Sequence, residues 1–202
     1  MEADYGLELG PAAPALEIPW QDPEGLLHYV DLRECGSQIG RDLGNRIDSI
    51  PEAQQFPALR QFLMLVNSAP SGWQTAKCDV WADETNAAEN LYSAGFTQSC
   101  YVDLVLAKAS AHLRDNLEVH KSAAQELAQR LDADEELDAF AEIVVRRCYF
   151  HTASDPEASD AGYCLTLFLI GYGAEPAAAE DCWARATDLA AQWLLKVQPH
   201  EG

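Results

Sequence analysis

Basic side chains are scarce: 13 Lys and Arg stand against 33 Asp and Glu in 202 residues, for a formal net charge of minus 20 and a pI near 4.3. A surface of that sign repels a phosphate backbone and an anionic bilayer, so neither direct nucleic-acid binding nor membrane association is expected. Long apolar runs are missing as well. The longest, Cys164–Ile170, covers seven residues, against the roughly 20 that cross a bilayer as a helix. The first twenty residues have neither a basic start nor an apolar stretch, and Glu2, Asp4, Glu8 and Glu17 interrupt them, so no signal peptide is read and a cytosolic protein is expected. The six cysteines are scattered through a chain long enough to build a core without cross-links, and they read as reduced, buried thiols.

Catalytic and ligand motifs are also lacking. No Cys-x-x-Cys, His-x-x-x-His or His-Glu-x-x-His occurs, so no metal site is expected, and no Gly-x-Ser-x-Gly elbow or P-loop anticipates a nucleophile or a phosphate. No cofactor is assigned. Leu167–Pro176 imitates a dinucleotide-binding turn through Gly171 and Gly173, but Pro176 stands at the third glycine position and a single helix follows. Asp132–Asp138 imitates half a calcium loop, with Leu137 where the turn needs glycine and Ile143 where a bidentate acid belongs. His112 and His120 are eight residues apart, about 12 Å on a continuous helix, too far to share one ion.

What is present is an ordinary globular composition, 48% hydrophobic and 23% charged, enough to bury about 70% of the unfolded surface at this length. Residues 1–21, with Pro11, Pro14 and Pro19, read as an extended arm that Trp20 can pin to the body, and residues 22–202 as a single globular domain. Asp22–Glu24 has the form of a helix start, although Leu26–Arg33 also alternates like a strand. Helical spacing appears over Ser37–Ile50, Pro57–Asn67, Asp115–Leu131 and from Pro176 onward, where Trp183, Ala186, Leu189, Trp193 and Val197 form a wide apolar stripe. A further helix is expected from Asp132 or Asp134 to about Phe150, carrying Leu137, Phe140, Ala141, Val144, Val145 and Cys148, and packed antiparallel on its predecessor. Gln74–Trp81 alternates as a half-buried strand, Tyr101–Ala107 and Gly162–Ile170 fit strand or buried helix, and Asp83–Asn90 and His151–Ala161 read as polar loops. Together these give a helix-dominated α+β fold, one compact domain with a small sheet on a bundle of amphipathic helices, with all-α as the alternative.

The acid excess runs through the whole chain and is consistent with solubility alone. It also suits a partner of opposite charge, since negative patches speed encounter with a basic protein and suppress wrong partners. Trp73, Trp81 and Tyr92 flank Asp83, Glu84 and Glu89, and aromatic anchors ringed by charge have the composition of a binding hot spot. The expectation is an acidic cytosolic binding module, an antagonist of a basic protein in the manner of immunity proteins or nucleic-acid mimics. This is an analogy of charge, with no motif behind it. A small enzyme with a site assembled from dispersed His, Cys and carboxylates is the second expectation. The third is an oligomeric scaffold subunit that exposes Trp183 and Trp193.

Overall fold

The computed structural model describes residues 1–199 except 23, 27, 33–38, 69, 89, 91, 134, 135, 153 and 154, and the side chains of these residues except 39–41, 152 and 155–158. Along the chain come β1 (Glu2–Glu8), β2 (Ala15–Ile18), α1 (Ile39–Ile47), α2 (Pro51–Gln55), α3 (Pro57–Val66), β3 (Trp73–Glu84), β4 (Phe96–Leu106), a 3₁₀ turn (Lys108–Leu113), α4 (Leu117–Asp132), β5 (Ala139–Thr152), β6 (Asp155–Gly173) and α5 (Pro176–Leu194). The strands form one six-stranded sheet in the order β1-β5-β6-β4-β3, with β2 following β1 along the outer edge of β5. The central ladders β5–β6, β6–β4 and β4–β3 are antiparallel, whereas β1 and β2 run parallel to β5.

This overturns the expectation of a helix-dominated fold with a small sheet, and of its all-α alternative. The sheet is the framework, and helices and strands take similar shares of the chain. The decisive misreading is 132–150, where β5 replaces a helix. Its centre is buried on both faces, with Ile143, Val144 and Val145 all at 2% exposure or less, so apolar residues fall at helical spacing without marking a helical stripe. The β-branched run Ile143–Val145 settles in a pleated ladder, where its stiff side chains pack on neighbouring strands. Asp132 closes α4 instead of opening a new helix, and Asp134 lies outside the described residues. Residues 155–161, read as loop, are the start of β6, paired with the end of β5.

All five helices contribute to one face of the sheet. Leu165, Leu167 and Leu169 of β6 meet Ala139, Ala141, Ile143 and Val145 of β5 and Cys100, Val102 and Leu104 of β4 in the principal core, with α3, α4 and α5 packed over them. α4 opens on Asn116, whose side-chain oxygen accepts from the Glu118 and Val119 N–H groups at 3.1 and 3.4 Å, satisfying two orphan donors of its first turn. Asn67, buried at the end of α3, accepts the Thr75 N–H at 3.0 Å and donates to the Leu63 carbonyl and the Thr75 hydroxyl, tying α3 to β3. Gly171 and Gly173 lie where α5 crosses β6. A Cβ on Gly171 would fall 2.2 Å from the Trp183 nitrogen, so these glycines serve close helix approach and not phosphate binding.

Residues 1–18 complete the sheet through β1 and β2, and Trp20 anchors the end of this segment by donating its indole N–H to the Ala76 carbonyl at 3.3 Å. The helix start read at Asp22–Glu24 is a turn. The Asp22 carboxylate accepts the Glu24 and Leu26 N–H groups, and Gly25 adopts φ +68°, which favours glycine. Pro23, the residue between them in that expected start, lies outside the described residues. Among the described residues no helix is long and apolar enough to cross a membrane, which says nothing of strands.

Candidate functional site

With the helices on one face, the opposite face of the sheet stays buried through Val144, Thr166 and Asp103 in its middle and is covered outright at one end. There Ile18, Ala76, Val105, Cys148, Phe150 and Cys164 form a small second core beneath Leu16 and Tyr29. Beyond it the strand registers set side chains in transverse rows. One row runs Asp4, Glu142, Phe168, Tyr101, Asp79 from β1 across to β3. The next runs Glu2, Phe140, Ile170, Ser99, Trp81, and the corner beyond holds Tyr172, Thr97 and Asp83. Each row is apolar in the middle and acidic on at least one edge. Trp81, Tyr101 and Phe168 are consecutive ring neighbours, with centroids 6.4 and 6.2 Å apart. Trp81 is 37% exposed, Tyr101, Phe168, Ile170 and Tyr172 are half-buried, and Glu2, Asp4, Glu142, Asp79 and Asp83 are exposed.

Adjacent strands lie about 4.8 Å apart, so the carboxylates of Asp4 and Asp79 sit on edges about 19 Å apart. That exceeds the roughly 8 Å screening length at physiological salt, so the two acidic edges are electrostatically independent of each other. Between them, the row Gly6, Val144, Thr166, Asp103, Lys77 places polar groups under the rings. Thr166 donates to the buried Asp103 carboxylate at 2.5 Å and accepts from the Arg146 guanidinium at 3.2 Å, and Arg146 reaches Glu8 at 2.8 Å. Burial holds the Asp103 carboxyl above the usual carboxylate range, against the Thr166 hydrogen bond and the Arg146 and Lys77 charges.

At the β3 side the face opens into a cavity of about 720 Å³ between the sheet, residues 20–22, 26, 28, 30 and 32, and the start of α2. It brings Cys78 and His28 near Glu52 and Asp79, the closest approach to the enzyme expectation. The Cys78 thiol is pushed up to about 12 by burial, with Glu52, Cys100 and Asp79 adding to it. Cys100 is likewise pushed up to about 12 by burial, Cys164 is raised chiefly by its hydrogen bond with Cys148, and Cys182 is raised by burial. These groups are thiols at neutral pH, so none supplies a thiolate nucleophile. His120 is buried between Trp73 and Tyr163 with Nδ1 2.9 Å from the Asn116 carbonyl oxygen, and burial lowers its pKa, so it serves as a neutral core residue. Among the described residues no group of three His, Cys, Asp or Glu could hold a metal ion.

Of the positions singled out in the sequence, Trp81 and Asp83 meet on the open face. Glu84 is exposed but alternates to the other side of β3, and Tyr92 stacks on Tyr172 at 4.7 Å with its hydroxyl donating to the Ala139 carbonyl. Trp73 is fully buried on the helix side and donates its indole N–H to the Val197 carbonyl at 2.9 Å, so it is core and not anchor. Glu89 lies outside the described residues. Trp183, at 1% exposure, is also core, and Trp193 is half-buried beneath Arg130 and Lys196. Sequence reasoning missed Tyr101, Phe168, Asp79, Asp4 and Glu142. They lie on five different strands and are brought together only by the register, so no signal along the chain marks them as a group. Comparison with known protein families, with curated proteins and with solved structures finds no match.

Proposed function

We propose that the protein is an acidic, cytosolic binding module that docks a basic protein on the open face of its sheet, as an antagonist of the immunity or nucleic-acid-mimic kind. The observation that carries this reading is the row pattern: an aromatic run from Phe168 through Tyr101 to Trp81 on the β3 edge, flanked there by Asp79 and Asp83 and, toward the β1 edge, by Glu2, Asp4 and Glu142. Aromatic side chains give contact area at low conformational-entropy cost, and the carboxylate frames select a partner with basic groups on two lines.

The test is affinity of a captured partner as a function of salt and of the face. A Trp81→Ala variant should lose roughly tenfold or more in affinity with unchanged unfolding temperature, as an anchor does. Asp79→Asn with Asp4→Asn should flatten the salt dependence of association, because both charge lines then contribute less. Glu118→Gln with Asp188→Asn, on the remote helix layer, changes the net charge equally and should leave both quantities nearly unchanged. Binding indifferent to Trp81, or equally sensitive to the remote pair, would rule out the open face.

A further inference from the structure

The open face alone is small for a stable interface. Three rows beyond the buried Val144–Asp103 row, spaced by about 7 Å along strands and about 19 Å across them, project to roughly 270 Å², about a third of the 800 Å² that one partner contributes to a standard complex. The cavity beside it continues the same surface, because Tyr101, Lys77 and Asp79 belong both to the rows and to its wall. Its volume, about 720 Å³, falls within the range of ligand sites, about 300 to 1,000 Å³.

The chemistry of the walls is specific. Trp20 is held rigid by its hydrogen bond to Ala76 and an edge-to-face contact with Tyr29 at 6.0 Å. Tyr101 lines the same cavity. The Lys77 ammonium lies 5.6 Å from the Trp20 ring centre and 5.9 Å from that of Tyr101, so the protein's own cation already occupies the two ring faces. Among the described residues Lys77 makes no salt bridge. Of the three carboxylates in the lining, Asp22 is taken up by the Glu24 and Leu26 N–H groups, which leaves Glu52 and Asp79 on the same space, while Val30 and Ile50 offer apolar wall. Burial raises the Tyr101 phenol, Asp103 adds to the shift, and Asp79 and Glu52 add to it as well.

Two aromatic faces, two carboxylates and an aliphatic wall match a planar cation on an apolar stem. We propose that the cavity receives an arginine side chain of the basic partner, its guanidinium displacing the exposed Lys77 ammonium from between Trp20 and Tyr101 and pairing with Glu52 and Asp79. Guanidinium suits the place better than ammonium because it stacks on rings and is more weakly hydrated. This inference rests on the docking reading and names the side chain that the docking would carry. Lys77 then acts as a tethered competitor that keeps the cavity charge-balanced when no partner is bound.

The experiment titrates the full chain with N-acetyl-arginine methylamide and, separately, with its neutral citrulline counterpart, following the Trp20 indole N–H by NMR. The arginine probe should shift this resonance saturably, with a midpoint on the order of 1 mM for so small a ligand, and the citrulline probe should not. Lys77→Met should tighten the arginine probe by roughly two- to fivefold, since a competing charge is gone, and Glu52→Gln with Asp79→Asn should weaken it by about tenfold. A merely structural Lys77 would give no tightening. Equal response to both probes, or no gain from Lys77→Met, would overturn the assignment. If the arginine probe binds but Glu52→Gln leaves partner affinity unchanged, the cavity serves a free cation and the partner assignment is wrong. The docking reading fails by a different result, partner affinity insensitive to Trp81→Ala, so the two are separable.

Discussion

Replacing Gly171 by alanine tests the close approach of α5 to β6. The new Cβ would lie 2.2 Å from the Trp183 nitrogen and 2.6 Å from both the Ala179 carbonyl oxygen and the Trp183 Cα. These are backbone atoms of α5, so no rotamer change relieves them. Reaching an ordinary 3.4 Å contact from 2.2 Å requires the helix to retreat by about 1.2 Å. A radial gap of 0.5 to 1 Å already forfeits about a quarter to a half of each dispersion well, and α5 holds Trp183, Ala186, Ala190, Ala191 and Leu194 against the core. Overpacking of this kind costs about 1 to 3 kcal/mol, and the backbone obstacle puts Gly171→Ala at the upper end, near 3 kcal/mol. For a chain of this size that is a fall of roughly 6 to 12 °C in unfolding temperature. Thermal and urea unfolding followed by circular dichroism measure it. Gly44→Ala is the control of opposite sign: it sits in α1 with nothing within 4 Å of the added Cβ, so it should stabilise by about 0.5 to 1 kcal/mol through helix propensity. If Gly171→Ala unfolds within about 0.5 kcal/mol of the parent, the close approach of α5 to β6 is wrong.

Two further predictions concern pH. The Asp103 carboxyl is raised by burial, so folding favours its protonated form, and the stability it contributes is fully present below the ordinary carboxylate range and lost as pH rises through its folded value. Asp103→Asn keeps an oxygen for the Thr166 hydroxyl without the buried charge, and it should be more stable than the parent at pH 7, with the gain vanishing near pH 3 in urea titrations. A gain that persists at pH 3 would show the charge is not its cause. His120 is lowered by burial, so its contribution is present above the ordinary histidine value of 6.5 and falls away as pH drops below it. The parent should lose urea resistance in that window and His120→Gln should lose less of it; parallel pH profiles of the two would exclude His120 as the group responsible.

Some elements could be read directly from the sequence because each has one wet face. In α3, Leu59, Phe62, Leu63 and Val66 are buried while Gln61 stays exposed, and the Pro57 start and polar stop bracket them. The β3 alternation was equally readable, apart from the register shift between Thr75 and Lys77 that moves Trp73 to the helix side. β5 and β6 were not, since a strand buried on both faces carries no period-2 contrast. β1 escaped because, among the described residues, it pairs with residues 140–146, and no local pattern reports such a partner. The site inherits these limits. Trp81 and Asp83 could be nominated from their own strand, but the Asp4 to Asp79 row is a property of five strands in register and has no signature along the chain.

The parallel pairing of β1 with β5 has a consequence for synthesis. Glu2 pairs with Phe140 and Glu8 with Arg146, so the segment made first must wait for residues made about 140 positions later, roughly 7 to 28 seconds at 5 to 20 residues per second. During that wait Tyr5 and Leu7 have no ladder to join, and the strand is an open template for other nascent chains. Glu2, Asp4 and Glu8 interleave those apolar positions and act as gatekeepers, repelling the same strand on a neighbouring ribosome. The carboxylates that line one edge of the open face thus guard an unpaired strand until β5 arrives to receive it.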